Sequence, residues 1–292
     1  MRRLRIAIVA LFILSGISFV GYNVISRLAE DHTPPEISCD SDTVSVSVED
    51  EEIDEALLSG VKASDNEDGD LTDQIRVSSM SNFTEPGKRT ITYAVFDKAG
   101  QAATLERTLE YTDYTSPQIQ LTAPLRYSLE DMADVNLTEN MSVEDCLDGD
   151  LTSQIRATFN DSIYIQQAGE YPVTVQVSNS AGDTCSVPLT LTVTDSADSS
   201  ERDKYYPLLS QYIVYTNAGE QVDLAGLLTG FERNGAEYLF TDPDAASLPG
   251  ARENVSISGD VDWATAGTYN VDYQFTSAAG VTATTKLAVV VR

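Results

Sequence analysis

Histidine and cysteine are scarce in this chain, and their scarcity excludes most nucleophilic catalysis. His32 is the single histidine among 292 residues, whereas Ser–His and Cys–His nucleophiles need an imidazole beside the attacking atom. Cys39, Cys146 and Cys185 are too few for a disulfide framework and lack zinc-site spacing. Among 46 Asp and Glu residues, pairs of acids suitable for glycoside hydrolysis can always be found. None of them, however, lies in a sequence context that predicts a substrate-binding cleft. We therefore predict no catalytic residues and no enzymatic activity.

Basic residues are scarce as well. The chain has 18 Lys and Arg against 46 Asp and Glu, which gives a net charge of −28. Four of the 18, namely Arg2, Arg3, Arg5 and Arg27, flank an N-terminal apolar segment, so only 14 remain beyond it. A surface this acidic repels phosphate backbones, so we expect no nucleic-acid partner. It is either a plain soluble exterior or a surface that attracts divalent cations and basic partners.

The N-terminal apolar segment, residues 6–26, contains no charged residue over 21 positions. As a helix it would be about 31 Å long, which matches the hydrocarbon core of a bilayer. Because arginines precede it, we predict a signal-anchor helix at 6–26, a cytoplasmic tail at 1–5 and a stalk at 27–33 outside the cell. The alternative is a cleaved signal peptide, since the most apolar part, Ile6–Leu14, is short. Either interpretation exports the remainder of the chain.

Internal repeats organise that remainder. Residues 64–76 read SDNEDGDLTDQIR and residues 144–156 read EDCLDGDLTSQIR, at an offset of 80. Further on, GKRTITYAVFDKAG at 87–100 aligns with GEYPVTVQVSNSAG at 169–182 and with GTYNVDYQFTSAAG at 267–280. The leading segments 34–37 and 116–119 also resemble each other. The chain therefore contains two clear repeats and a third that matches in its second half.

Apolar residues alternate with polar ones in each repeat. Val44, Val46 and Val48 do so, and similar rows occur at 91–95, 173–177 and 271–275. Period two is typical of half-buried strands, and Ala-Gly pairs after three of these rows predict turns. We predict an all-β fold of tandem immunoglobulin-like β-sandwiches preceded by a single transmembrane helix. Their boundaries are 34–113, 114–195 and 205–292, with a polar linker at 196–204 that acts as a hinge.

The order D-N-x-D-G-D-L-T, followed by G-x-x-x-x-Y-x-V-x-D-x-A-G, resembles the Ig-like repeat of bacterial surface proteins. That family is related to hyaline-repeat and cadherin-like sandwiches. The resemblance covers 34–113 and 114–195, whereas in 205–292 only the closing hairpin matches. It implies a structural or adhesive module on a bacterial cell surface, without catalytic activity, and it does not specify the ligand.

The DGDLT loops carry oxygen donors at nearly consecutive positions. In an Ig-like sandwich this loop and the corner at Asp97 share one end, so we expect Asp97 to face Asp65, with the leading Asp31 or Asp113 beside each tip. Ca²⁺ takes six to eight oxygens, and the cadherin-like resemblance suggests a calcium clasp. The candidate ligands are Asp65, Asp68, Asp70, Asp97, Asp145, Asp148 and Asp150. The alternative is a turn capped by its own side chains, because the spacing is not that of an EF-hand.

Cys146 lies in the second DGDLT loop and Cys185 just after the following corner; their counterparts in the first repeat are Asn66 and Ala103. Loops at one end of a sandwich can bring two Cα atoms within the ~5.5 Å that a disulfide needs. Export would permit oxidation, so a Cys146–Cys185 disulfide is a candidate. Cys39 is predicted to be a small buried residue.

Aromatic residues mark the third repeat as a candidate recognition tip. Trp263 is the single tryptophan and is either a core anchor or part of a sugar-stacking platform, while four tyrosines cluster at the start of the repeat: Tyr205, Tyr206, Tyr212 and Tyr215. The leading hypothesis is a membrane-anchored adhesion or scaffold module with a surface protein or glycan as ligand. The alternatives are a carbohydrate-binding accessory protein and a calcium-rigidified spacer rod.

Overall fold

A computed structural model of the chain describes residues 2–28, 31–50, 53–159, 165–242 and 248–292. Met1 of the predicted tail and residues 29 and 30 of the predicted stalk lie outside these ranges. The chain divides into two compact units, Met1–Asp113 and Tyr114–Arg292. Each unit is described by itself.

The first unit begins with helix α1, Arg2–Leu28. Apolar side chains such as Leu11, Phe12 and Phe19 are exposed on this helix. Within the residues that the structure describes, no helix is long and apolar enough to span a bilayer. The anchor predicted at 6–26 therefore stays a prediction.

Residues 34–113, called repeat one, form a two-sheet β-sandwich. Strands β1, β3 and β4 make one sheet, and the other has the order β2-β7-β6-β5. The described part contains helix α2 (Ile53–Leu58), a 3-10 turn at Thr72–Gln74 and the strands β1 Glu36–Cys39, β2 Thr43–Val46, β3 Val61–Asp65, β4 Gly69–Asp70, β5 Arg76–Glu85, β6 Lys88–Phe96 and β7 Ala102–Tyr111.

The alternating rows predicted from the sequence form the core of repeat one. Val44 and Val46 on β2 are buried, as are Ile91, Tyr93 and Val95 on β6. Strand β2 runs parallel to β7, and β6 runs antiparallel to it over its whole length. A shift of one residue would turn every buried side chain outward, so the sequence fixes this register strongly.

Residues 114–195, called repeat two, have a similar arrangement, with one four-stranded sheet and two short two-stranded sheets in place of the three-stranded one. Val173, Val175 and Val177 are buried in a sheet of order β13-β14-β15-β9. The described part contains a 3-10 turn at Thr152–Gln154 and the strands β8 Gln120–Leu121, β9 Arg126–Ser128, β10 Met141–Ser142, β11 Glu144–Asp145, β12 Gly149–Asp150, β13 Arg156–Phe159, β14 Gly169–Ser178 and β15 Thr184–Thr194.

Residues 205–292, called repeat three, also form two sheets, of order β16-β18-β19 and β17-β22-β21-β20. Val271, Tyr273 and Phe275 are buried as the alternation predicts. The described part contains 3-10 turns at Ala225–Leu227 and Arg252–Asn254 and the strands β16 Tyr206–Leu209, β17 Ile213–Thr216, β18 Leu228–Arg233, β19 Ala236–Leu239, β20 Ser256–Ser258, β21 Gly267–Thr276 and β22 Thr282–Val291.

Repeats two and three share one hydrophobic core. Ile119 and Leu121 of repeat two belong to the same buried cluster as Val214 and Val289 of repeat three. Lys286 also forms an ion pair across the two repeats, with its Nζ 3.3 Å from a carboxylate oxygen of Glu170. The segment predicted as a hinge, which includes a 3-10 turn at Glu201–Asp203, thus connects two packed sandwiches. Composition alone suggested freedom there because the linker is polar, but apolar strand edges on both sides are buried against each other.

Candidate functional site

The DGDLT loop of repeat one is a turn held by its own carboxylates. Asp65 Oδ1 accepts hydrogen bonds from the backbone N–H groups of Glu67 and Asp68, at 2.9 and 2.8 Å. Gly69 takes a left-handed φ of 77°, which a side chain would strain. Asp70 then accepts from the N–H of Thr72, the first residue of the 3-10 turn, at 2.9 Å. Hydrogen bonding from the side chain and the backbone of Thr72 lowers the pKa of Asp70. The predicted capping role of the loop is therefore present.

Asp68 ties this loop to the corner that follows β6. Its two carboxylate oxygens accept from the backbone N–H and the Nζ of Lys98, at 2.7 and 2.8 Å. These bonds hold the pKa of Asp68 below its usual value. Asp68 and Asp70 are thus engaged with protein donors and do not converge on the carboxylates of Asp65 and Asp97.

Three other carboxylates do converge. One oxygen each of Asp31, Asp65 and Asp97 lies within 4.8 Å of the others, and this is the one such acidic group among the described residues. Asp97 is only 8% exposed. It accepts from the backbone N–H and the Nε2 of Gln101, at 2.7 and 3.0 Å. The predicted meeting of Asp97, Asp65 and the leading Asp31 is what the structure shows.

One oxygen in this cluster lacks a donor. Asp65 Oδ2 is buried and finds no hydrogen-bond partner among the described residues, which is costly for a carboxylate oxygen. Gln101 Nε2 also lies 3.2 and 3.3 Å from the backbone carbonyls of Asp31 and Thr33. The cluster, called the Asp31–Asp65–Asp97 cluster, therefore combines carboxylate and carbonyl oxygens, the donor set that Ca²⁺ takes.

The same end of repeat two is built differently. Asp145, which is 3% exposed, accepts from the N–H groups of Leu147 and Asp148, as Asp65 does from its neighbours. Its other oxygen, however, lies 3.3 Å from Asn179 Nδ2, and Asn179 occupies the place of Asp97. The amide of Asn179 thus supplies a donor where repeat one has a third carboxylate.

Tyr114 completes this network. Asn179 Nδ2 donates to the Tyr114 hydroxyl at 2.8 Å, and that hydroxyl donates to Asp183 Oδ2 at 2.7 Å. Burial and the neighbouring Asp183 carboxylate raise the pKa of Tyr114, so the phenol stays protonated at neutral pH. We call Tyr114, Asn179, Asp145 and Asp183 the Tyr114 network.

The remaining candidate ligands of repeat two have local partners. Asp148 accepts from the backbone N–H and Oγ of Ser180, and Asp150 caps Thr152. The carboxylate of Asp113, which was expected beside this tip, accepts from Ser47 Oγ and the Val48 N–H of repeat one, at 2.5 and 2.7 Å, and so caps the end of β2. Repeat two therefore has no counterpart to the Asp31–Asp65–Asp97 cluster among its described residues.

The predicted Cys146–Cys185 disulfide is absent from the structure. Both residues are free cysteines, with Cys146 exposed and Cys185 buried. Cys146 Sγ faces the carbonyl of Thr115 at 3.3 Å, whereas Cys185 Sγ lies 3.5 Å from the Tyr215 hydroxyl. Cys185 is on β15 and belongs to the shared core cluster, so the two thiols have different surroundings. Cys39, predicted to be buried, is half-buried.

Three of the four tyrosines in the candidate recognition tip contact repeat two, and the ligand-binding role predicted for the group stays a prediction. Tyr206 and Tyr212 are buried. The guanidinium of Arg126 lies 3.6 Å above the Tyr206 ring and pairs with Glu232. The N–H of Tyr212 donates to the Leu121 carbonyl at 2.9 Å, and the Tyr215 hydroxyl donates to the Ile119 carbonyl at 3.1 Å.

Tyr205 and Trp263 lie elsewhere in repeat three. Tyr205 is half-buried, with the guanidinium of Arg233 4.9 Å above its ring and Tyr238 against its edge. Trp263 is half-buried against the core, and its carbonyl accepts from the Gly219 N–H at 2.7 Å. The core-anchor interpretation of Trp263 fits these contacts, and the two rings do not form a shared platform with the other tyrosines.

The sequence reasoning missed Gln101, Tyr114 and Asn179 as partners of the acidic loops. A signal was present, because Asn179 replaces Asp97 at an aligned position and Tyr114 follows directly after Asp113. An Asp-to-Asn change exchanges an acceptor for a donor. A donor was therefore to be expected wherever a carboxylate loop lost its third acid.

Comparison with known proteins supports the fold. Residues 55–110 and 230–291 match the model of the family "Bacterial surface protein, Ig-like domain". No curated protein matches the chain. The second matched range includes most of repeat three, which the sequence linked to this family through its closing hairpin alone.

Three of the solved structures to which the chain is similar are the following. The CBM51-2 and INT domains of Clostridium perfringens ZmpB, in complex with GlcNAc, are 19% identical with a TM-score of 0.22, over 52% of this chain and 26% of that one. Drosophila N-cadherin EC1-4 is 12% identical with a TM-score of 0.22, over 75% and 66%. Mouse cadherin-23 EC22-24 is 14% identical with a TM-score of 0.19, over 89% and 99%.

The chain thus spans about a quarter of the first of these proteins, covering 26% of its length. Likenesses at such low TM-scores carry no argument about activity. The structure itself is mostly β-strand, and the family match agrees with the motif that the repeats contain. The resemblance seen in the sequence is therefore confirmed as a resemblance: residues 55–110 and 230–291 are similar to the Ig-like domain of bacterial surface proteins.

Proposed function

We propose that this protein is a non-catalytic adhesion or scaffold module at the bacterial surface, held to the membrane by its N-terminal helix. The observation that carries the proposal is the tandem arrangement of Ig-like sandwiches in which two regions match a bacterial surface family. Strong acidity supports a role outside the cell, because it keeps an extended surface soluble and repels nucleic acid.

The membrane tether rests on helix α1. Its exposed apolar side chains support insertion, and the excess of arginines before residues 6–26 (Arg2, Arg3 and Arg5, against Arg27 after them) supports an N-terminus inside. The test is to express the full chain with a C-terminal tag and to extract membranes with carbonate. We expect the tagged chain in the pellet, with its N-terminal peptide intact by mass spectrometry. A released chain that begins after residue 26 would support a cleaved signal peptide instead.

Adhesion or scaffolding is tested on cells. Surface display of the full chain on a non-adherent bacterium should increase retention on other cells or on immobilised glycans, and display of an unrelated sandwich should not. Trp263→Ala should leave retention unchanged, since the half-buried ring packs against the core. Loss of glycan retention with this variant, at unchanged stability, would instead favour the carbohydrate-binding alternative.

We also propose that Ca²⁺ binds the Asp31–Asp65–Asp97 cluster and stiffens the start of repeat one. The convergent carboxylates and the buried, unpartnered Asp65 Oδ2 favour this second role. A hard cation would neutralise the repulsion among three acids and supply the missing partner of that oxygen. Asp31, Asp65 and Asp97 would hold the ion and join the leading segment to two loops.

Calorimetry tests the calcium proposal. Bound ligand at about 100 times its Kd adds ~2.7 kcal/mol to stability, so calcium should raise the melting temperature of the first unit above that in chelator. Asp65→Asn should abolish the shift. Asp73→Asn is the matched control, because Asp73 is an exposed acid in the same loop outside the cluster. Equal melting temperatures with calcium and with chelator in the native chain would contradict the proposal.

A further inference from the structure

The surface of repeat two that repeat three covers is the outer edge of β8. Two carbonyls of this edge, those of Ile119 and Leu121, accept hydrogen bonds from the Tyr215 hydroxyl and the Tyr212 N–H. Ile119 is 0% exposed as a result, and Leu121 is 3% exposed. A strand edge presents unpaired backbone groups, and a neighbouring chain segment can satisfy them.

The side chains of Tyr215 and Arg292 together cover this strand edge. The Tyr215 hydroxyl also lies 3.5 Å from Cys185 Sγ. The guanidinium of Arg292 lies 4.6 Å from the centre of the Tyr215 ring and donates to the Pro117 carbonyl at 3.1 Å. Ile119, Leu121 and Cys185 thus form a socket that receives a tyrosine stacked under an arginine.

Repeat one has the corresponding positions in Ile37, Cys39 and Ala103, because residues 34–37 align with 116–119 and Ala103 aligns with Cys185. All three are half-buried rather than buried. Ile37 and Ala103 line an open cavity of about 660 Å³ along β1, β3 and β7. In repeat two, by contrast, a cavity of about 20 Å³ is left beside Leu121 and Tyr212.

The two surfaces differ in one informative way. Arg107 takes the place of Leu189, and its guanidinium donates to the carbonyls of Ser59 and Thr43, at 3.0 and 3.2 Å. In repeat one, a hydrogen-bonded arginine therefore replaces the apolar side chain of Leu189. The open cavity of repeat one is called the β1 groove. It is lined by Glu36, Ile37, Ser38, Ala103 and Thr104, and also by Lys62 and Asp70.

We propose that the β1 groove docks an extended segment of a partner protein that bears a tyrosine accompanied by a basic side chain. The chain itself shows this mode of recognition at the equivalent edge of repeat two. The tyrosine would occupy the space beside Ile37 and Ala103, and Glu36 and Asp70 would attract the basic residue in a domain already rich in acids. The inference rests on the proposed adhesion role, for which it names the chemistry of the partner.

The test uses the full chain and a fluorescent peptide with the sequence of residues 210–217, SQYIVYTN, extended by one arginine. We expect saturable binding with a Kd of about 0.1 to 1 mM, typical of a short segment. A Tyr215→Phe peptide should bind several-fold more weakly, because its ring cannot donate a hydrogen bond to the backbone carbonyl of Ile37, the counterpart of Ile119. The proposal would be overturned if binding did not saturate at peptide concentrations several times higher than about 1 mM, or if the Phe peptide bound equally well.

Variants of the chain locate the binding. Ala103→Leu should weaken peptide binding at least about tenfold by filling the groove. Ala102→Leu is the matched control, since Ala102 is the preceding residue of β7 and its exposed side chain does not line the groove. Melting curves of both variants verify that each is folded. Binding that persists in Ala103→Leu would show that the peptide enters the edge of repeat two, which contradicts the proposal. Because no cell is involved, this result is independent of the retention assay.

Discussion

Repeats one and two contain the same acidic loop but satisfy it in opposite ways. In repeat one, Asp65 meets two further carboxylates and keeps a buried oxygen without a donor. In repeat two, Asp145 meets an amide and, through it, a phenol. Replacement of Asp97 by Asn179, together with Tyr114 in the leading segment, converts an acidic cluster into a hydrogen-bonded network. A nearly identical motif therefore does not fix the chemistry of a site; the residues across from it do.

Asp145→Ala should break the network of repeat two most severely. The change removes the acceptor of three donors, the N–H groups of Leu147 and Asp148 and the amide of Asn179. A buried donor left unpaired costs ~1–3 kcal/mol unless water replaces the lost hydrogen bond. We therefore expect the free energy of unfolding of the second unit to fall by about 3 kcal/mol. Urea unfolding followed by tryptophan fluorescence measures it, since Trp263 lies in that unit. A loss below about 1 kcal/mol would contradict this account of the loop.

Asn179→Asp should make repeat two resemble repeat one. The new carboxylate would face Asp145 and lose the bond to Tyr114, so we expect about 2 kcal/mol of destabilisation at neutral pH. Calcium should restore part of it, because oxygen ligands would then converge as they do in repeat one. The measurement is the urea midpoint with calcium and with chelator. A variant as stable as the native chain in chelator would show that the amide donor is not needed.

Tyr114→Phe tests the hydrogen bonds of the Tyr114 hydroxyl, at the outer end of the network. It removes one hydroxyl that donates to Asp183 and accepts from Asn179, while the ring stays in place. We expect a loss of about 1 kcal/mol, the net value of a hydrogen bond, with no dependence on calcium. The same urea experiment gives the value. A calcium-dependent loss would place a cation in repeat two and remove the distinction between the repeats.

The smallest effect concerns the Lys98–Asp68 bond of repeat one, which lies at the surface. Lys98 lowers the pKa of Asp68 in the folded state, so the bond stabilises the fold above the unfolded pKa and the stabilisation is lost as the pH falls through the folded pKa. The stability difference between the native chain and Lys98→Met should therefore shrink below about pH 4. Urea midpoints from about pH 6 down to about pH 2.5 test this. A constant difference would contradict it.

Much of the fold was predictable because its signals are local. Alternating valines set the inward face of each strand, and the Asp-Gly pairs marked turns in which Gly69 and Gly149 take positive φ. The meeting of Asp31, Asp65 and Asp97 followed from the end of the sandwich at which their loops lie.

Contacts between elements far apart in sequence could not be predicted. The polar linker suggested a hinge, whereas in the structure Tyr212 and Tyr215 join repeat three to the edge of β8, with Ile119 lying 96 residues before Tyr215. The same packing places Cys185 in the shared core, whereas Cys146 is exposed. None of these three side chains carries a local sign of the neighbour that will bury it, so composition could not predict these contacts.

Hydrogen–deuterium exchange of the full chain, with calcium and with chelator, tests the central claim most directly. The claim is that repeat one responds to a cation whereas repeat two satisfies its own loop. We predict that calcium slows exchange at residues 65–72 and 97–101 and leaves residues 145–152 and 179–183 unchanged. Equal slowing in both repeats, or no change in either, would contradict it.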